Sequence, residues 1–80
     1  MPTVLRILGF RFFFFINEGT EATHIHVESG DGYAKFWLRP VILDYSTGYN
    51  STELNKLRKI TQDNEELFIE KWNEYFGQNT

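Results

Sequence analysis

The sequence contains no cysteine, so it has neither a disulfide framework nor a thiolate zinc site. It also lacks any long apolar run. Residues 1–6 do not resemble a signal peptide, and no stretch approaches the roughly 20 apolar residues that a membrane-spanning helix needs. We therefore expect a cytoplasmic protein without a membrane partner.

Neither sign of charge dominates, because the chain has 8 basic and 11 acidic residues and a net charge of only -3. Such a balance gives no overall attraction to nucleic acid. Six of the 11 acidic residues lie after Asn50, so a local basic surface in the first half is compatible with the composition. Repeats, low-complexity segments and linkers are also lacking, and residues 1–80 are expected to form one domain.

Aromatic residues, in contrast, are abundant: the chain has eight Phe, four Tyr and two Trp. A domain of this length buries a modest fraction of its surface and is marginally stable alone. Each aromatic side chain buries a large area, so a few of them are enough to build a compact core.

Residues 24–38 read as two alternating strands joined at a Gly30-Asp31 turn. With these two residues as the loop, one face pairs apolar side chains, Ile25 with Phe36 and Val27 with Ala34. Both strands then agree on which face is apolar, which supports this register. The other face pairs His26 with Lys35, His24 with Trp37 and Glu28 with Tyr33.

The remaining elements follow from local patterns. Strands are expected at residues 2–8, 10–17 and, if a fifth exists, 41–43, with a turn over residues 45–49. Asn50 and Glu53 form a capping-box pattern before an amphipathic stripe that is interrupted near Asp63. The predicted fold is α+β: an antiparallel sheet of four to five strands (residues ~3–44), then a helical region (residues ~51–76) packed on one sheet face as one kinked helix or two.

The sheet face opposite the helices is the place to look for function. We name it the far face. It would carry two histidines among basic and aromatic side chains, and Arg6 would lie opposite Arg11, which costs energy unless an anion or a carboxylate lies between them. The sequence thus predicts a cationic, aromatic surface formed by Arg6, Arg11, Phe13, Phe15, His24, His26, Glu28, Tyr33, Lys35 and Trp37.

Four interpretations of this face stay open. It is a structural face covered by neighbouring side chains or a second copy, a nucleic-acid surface, an acid–base centre or a metal site. In the acid–base case His24, His26 and Lys35 are the catalytic candidates, and in the RNA case the binding candidates are Arg6, Arg11, Phe13, Tyr33 and Trp37. The metal site ranks last, because a lone His-x-His pair on a strand has no converging third ligand; no cofactor is expected.

Several segments in order along the chain carry a resemblance. They are Arg11-Phe12-Phe13-Phe14-Phe15, His24-Ile25-His26-Val27, Ala34-Lys35-Phe36-Trp37-Leu38 with Pro40-Val41, and Trp72-Asn73-Glu74-Tyr75-Phe76. Together they resemble the small prokaryotic family called domain of unknown function 4160. The chain departs from the family pattern at Ala22-Thr23, where a Pro-Pro pair is usual, and at Asn50-Ser51, where Ser-Pro is usual.

The resemblance implies little chemistry. Genes of the family often lie beside those of another small uncharacterised family, and the pair is proposed to be a toxin–antitoxin module. The leading hypothesis is thus a toxin–antitoxin-type component acting through the far face on RNA or on a small cognate protein. The alternative is a non-enzymatic interaction or dimerisation module. If the protein is an enzyme, a metal-independent ribonuclease is the first expectation.

Overall fold

A computed structural model describes residues 3–15 and 20–77. Five antiparallel strands form one sheet in the order in which they occur along the chain. Two helices follow the last strand, so the predicted α+β class is confirmed. The elements are β1 (Thr3–Ile7), β2 (Phe10–Phe13), β3 (His24–Ser29), β4 (Gly32–Trp37), β5 (Ile42–Thr47), α1 (Ser51–Asp63) and α2 (Glu65–Phe76).

The central hairpin has the predicted register. His26 lies opposite Lys35, His24 opposite Trp37 and Ile25 opposite Phe36. Gly30 adopts a positive φ of 49° in the turn, a conformation that glycine takes without steric cost. The apolar alternation of both strands therefore decides which side chains reach each face.

The predicted strand boundaries need two corrections. β5 extends to Thr47, whereas the sequence predicted a turn from Tyr45 onward, because a β-bulge at Asp44 breaks the alternation that reveals a strand. β2 ends at Phe13, although the sequence predicted strand as far as residue 17. Residue 2 of the first predicted strand and residues 16–17 of the second lie outside the described residues.

The helical region consists of two helices, as one of the two alternatives predicted. Asn50 caps α1 through a reciprocal pair of bonds: the Glu53 amide donates to Asn50 Oδ1 at 2.8 Å, and the Asn50 amide donates to Glu53 Oε1 at 3.0 Å. The break falls at Asn64, whose side chain donates back to the Ile60 carbonyl at 2.9 Å. Asn64 also occupies the N-cap position of α2, where its side chain makes no cap bond.

The core lies between the helices and the apolar sheet face. Phe12 of β2 stacks on Phe68 of α2 with ring centroids 5.2 Å apart, and Phe14 meets Trp72 edge to face at 5.3 Å. Ile25 and Phe36 of the central hairpin are fully buried in the same cluster. Both helices therefore pack against the apolar sheet face, opposite the far face.

Tyr49 covers the turn end of the central hairpin. Its hydroxyl lies 3.0 Å from Ser29 Oγ, and its ring occupies the space beside Gly32 where a side chain would project. Burial raises the pKa of Tyr49 above its ordinary value of 10.0, more than the bond with Ser29 lowers it. Tyr49, two residues after β5, thus holds the β3–β4 turn in place.

Substituting Gly32→Ala is expected to lower the free energy of unfolding by about 1–3 kcal/mol, because the added methyl group would overlap the Tyr49 ring. Urea unfolding measures the loss. The matched control is Tyr49→Ala: in that background the same glycine substitution should cost little, as a double-mutant cycle would show. An equal cost in both backgrounds would contradict this packing.

Candidate functional site on the far face of the sheet

Arg11 is neutralised within the far face. Its guanidinium lies 2.6 Å from Glu28 Oε2 on the next strand, and Nε donates to Thr3 Oγ1 at 2.9 Å. The guanidinium carbon also lies 4.3 Å from the centre of the Phe13 ring. Arg6 lies opposite Arg11, and Glu28, on the other side of Arg11, neutralises the Arg11 charge.

Lys35 is held by two carboxylates from outside its own strand. Its Nζ lies 3.2 Å from Glu21 Oε1, in the loop before β3, and 3.7 Å from Asp44 Oδ2, at the bulge of β5. The ammonium also lies 4.4 Å from the centre of the Trp37 ring. The bulge explains this contact, because the extra residue turns the Asp44 carboxylate toward the far face.

His26 is buried among aromatic rings. It stacks against Phe13 at 5.4 Å and against Tyr33 at 5.8 Å, while Phe15 meets it edge to face at 4.5 Å. Its Nδ1 shares a hydrogen bond of 2.6 Å with the Tyr33 hydroxyl. Because only 2% of the residue is exposed, a substrate would have to displace these rings to reach the imidazole.

His24 is fully buried at the other end of the strand. Its Nδ1 donates to the Ala22 carbonyl at 2.8 Å, and since a carbonyl only accepts, this nitrogen carries a hydrogen. The centroid of the His24 ring lies 4.9 Å from that of His26, 5.4 Å from that of Trp37 and 5.0 Å from that of Trp72 on α2. Contrary to the expectation that helices leave this face uncovered, α2 therefore reaches His24 through Trp72.

The structure thus brings the predicted residues together but changes the character of their surface. The catalytic candidates His24, His26 and Lys35 are neighbours, and the binding candidates Arg11, Phe13, Tyr33 and Trp37 surround them. Arg6 lies at the exposed edge of the group. The prediction of a cationic surface is wrong for Arg11 and Lys35, because carboxylates neutralise both.

Comparison with known proteins identifies a family. The family described as Domain of unknown function (DUF4160) matches residues 9–73, which include β2 to β5, α1 and most of α2. The protein belongs to the DUF4160 family. The sequence matches none of the curated proteins and none of the solved structures with which it was compared.

Two kinds of feature are absent from the described part of this DUF4160 protein. Residues 3–15 and 20–77 contain no group of three or more His, Asp or Glu side chains placed to hold a metal ion. Within the same residues, neither helix has the length and apolar character needed to cross a membrane.

Sequence reasoning missed four residues that shape this face. Glu21 and Asp44 supply the carboxylates on Lys35, and Ile42 and Tyr45 project from β5 with about half of each residue exposed. Tyr45 lies opposite Lys35, and its ring lies 5.5 Å from that of Tyr33. Recognising a strand over residues 42–47 would have placed Ile42, Asp44 and Tyr45 beside β4. The β-bulge disrupts the alternation by which this strand could be recognised.

Proposed function

We propose that this protein is a binding module whose far face receives a protein partner. The observation that carries the proposal is the contrast between two layers of that face. The inner layer consists of buried imidazoles and neutralised cations. Ile42 and Tyr45 lie outside it, 52% and 55% exposed. Exposed large apolar side chains beside aromatic rings are typical of protein interfaces.

The family setting supports a small protein as this partner. The gene neighbourhood that the DUF4160 resemblance implies would provide it, and the chain would then act as one component of a toxin–antitoxin-type pair. Tyr and Trp side chains often dominate the binding energy at interfaces, because they bury a large area with few rotatable bonds. Tyr45, with Trp37 on the adjacent strand, has this position on the far face.

Tyr45→Ala is expected to weaken binding to the product of the neighbouring gene by about tenfold or more, since exposed aromatic anchors are frequent hot spots. The measurement is titration calorimetry with the two purified proteins. Tyr75→Ala is the matched control, because Tyr75 is also exposed, at 44%, but projects from α2. Equal losses in the two variants, or no complex with the unmodified protein, would contradict the proposal.

A ribonuclease is the second candidate function. It is favoured by one observation, the two imidazole rings 4.9 Å apart beside Lys35. One imidazole would serve as base and the other as acid, with the ammonium stabilising the developing charge. A ribonuclease activity requires that RNA displace the aromatic rings that cover His26. This second proposal fails if the unmodified protein cleaves RNA no faster than the His26→Ala variant.

A further inference from the structure

The ion pairs that the described residues form on the far face share one orientation, with the cation buried and the carboxylate exposed. The side chains of Arg11 and Lys35 are each 15% exposed. Their partners are far more accessible: Glu28 is 47% exposed, Glu21 46% and Asp44 39%. A molecule that approaches these ion pairs therefore meets their carboxylates before it meets Arg11 or Lys35, and exposed carboxylates attract positive charge.

The negative charge is in excess at the β5 end of the face. Two carboxylates, from Glu21 and Asp44, approach the ammonium of Lys35, so these three described residues together carry one net negative charge. The Lys35 ammonium also lies over the Trp37 ring, which keeps it close to the sheet. Beside these groups Ile42 and Tyr45 present apolar surface.

We propose that this β5 patch, formed by Glu21, Trp37, Ile42, Asp44 and Tyr45, binds a basic segment of the partner protein. The inference rests on the proposed function and adds the chemistry of the partner. Arginine suits the patch well, because its planar guanidinium pairs with carboxylates and stacks on aromatic rings. Apolar side chains of the same segment would cover Ile42 and Tyr45.

The charges disfavour two other occupants. A second copy that docked its own β5 patch against this one would bring carboxylates onto carboxylates, and like charges across an interface are costly. RNA would present its phosphates to the exposed oxygens of Glu21, Glu28 and Asp44, although tight binding of RNA depends on neutralising phosphates with cations. A basic protein segment meets neither obstacle.

The test measures the affinity of three labelled probes by fluorescence anisotropy: a peptide of alternating arginine and leucine, a glutamate–leucine peptide of equal length, and a uridine oligonucleotide. The double variant Glu21→Gln/Asp44→Asn removes both carboxylate charges while preserving side-chain shape. The matched control Glu66→Gln/Glu70→Gln removes the same charge from exposed positions on α2. Tyr45→Ala tests the apolar part of the patch.

We expect the basic peptide to bind at least tenfold more tightly than the other two probes, since complementary charge decides between partners. The patch variant should weaken that binding by about tenfold and the α2 control by less than about twofold. Equal weakening in both variants would overturn the inference. A different result is that the glutamate–leucine peptide binds more tightly than the basic peptide and that Tyr45→Ala weakens its binding. In that case the proposed function stands, but the inferred positive charge of the partner is wrong. If Tyr45→Ala changes the binding of no probe, both fail.

Discussion

Replacing Trp72 by alanine is expected to lower the free energy of unfolding by about 3–5 kcal/mol, the usual cost of deleting a large buried aromatic side chain. Trp72 is 1% exposed and joins three parts of the molecule. Its ring contacts Phe14 after β2, Phe76 on its own helix and His24 on β3. Since small domains have only about 5–15 kcal/mol of stability in total, this loss is a large share.

Urea unfolding followed by far-ultraviolet circular dichroism is the appropriate measurement, because the substitution removes a fluorescent residue. Tyr75→Ala is the control on the same helix: the side chain is half exposed, so its loss should cost less than about 1 kcal/mol. A Trp72→Ala midpoint as close to the unmodified protein as that of the control would contradict the packing of α2 against the end of the sheet.

His24→Ala is expected to have the second largest effect, a loss of about 2–4 kcal/mol. The substitution leaves a buried cavity and also removes the hydrogen bond from Nδ1 to the Ala22 carbonyl. The physical reason is burial, because His24 lies between Trp37 and Trp72 with no exposed surface. A residue that served only as a catalytic base would show no such stability cost.

His24→Asn is the control for this prediction. Its side-chain amide carries a donor at nearly the position of Nδ1, so it should recover about 1 kcal/mol of the loss by restoring the bond to Ala22. The measurement is again equilibrium unfolding, which needs no assay of activity. If His24→Ala unfolds at the same urea concentration as the unmodified protein, His24 does not hold this face together, and the catalytic interpretation gains.

The parts of the fold that the sequence predicts are those that local chemistry decides. Alternation and a glycine turn set the β3–β4 register, and Asn50 with Glu53 marks the start of α1. Prediction from the sequence fails at Asp44, because one additional residue in β5 disturbs the two-residue alternation of side chains by which a strand is recognised. The Asn64 break was predicted only approximately, because its bond to Ile60 depends on the conformation of the preceding turn.

For the site, the sequence predicts which side chains share the far face but not what covers them. Register alone places His26 opposite Lys35. It does not show that Phe13 and Phe15 enclose the His26 imidazole, nor that Trp72 reaches His24 from a helix far along the chain. These contacts depend on tertiary packing, and they change the interpretation from an open acid–base centre to a covered layer beneath a binding surface.

The accessibility of the two imidazoles tests this account most directly. Modification of native protein by diethyl pyrocarbonate, followed by mass spectrometry of each histidine-containing peptide, measures it. We predict that His24 and His26 react on the order of a hundredfold more slowly in the native protein than in the urea-unfolded chain, because the reagent must await local opening. Equal modification rates in the two states, with a circular dichroism spectrum showing that the native protein remains folded, would contradict the account. The two histidines would then be accessible, and the catalytic interpretation would be favoured.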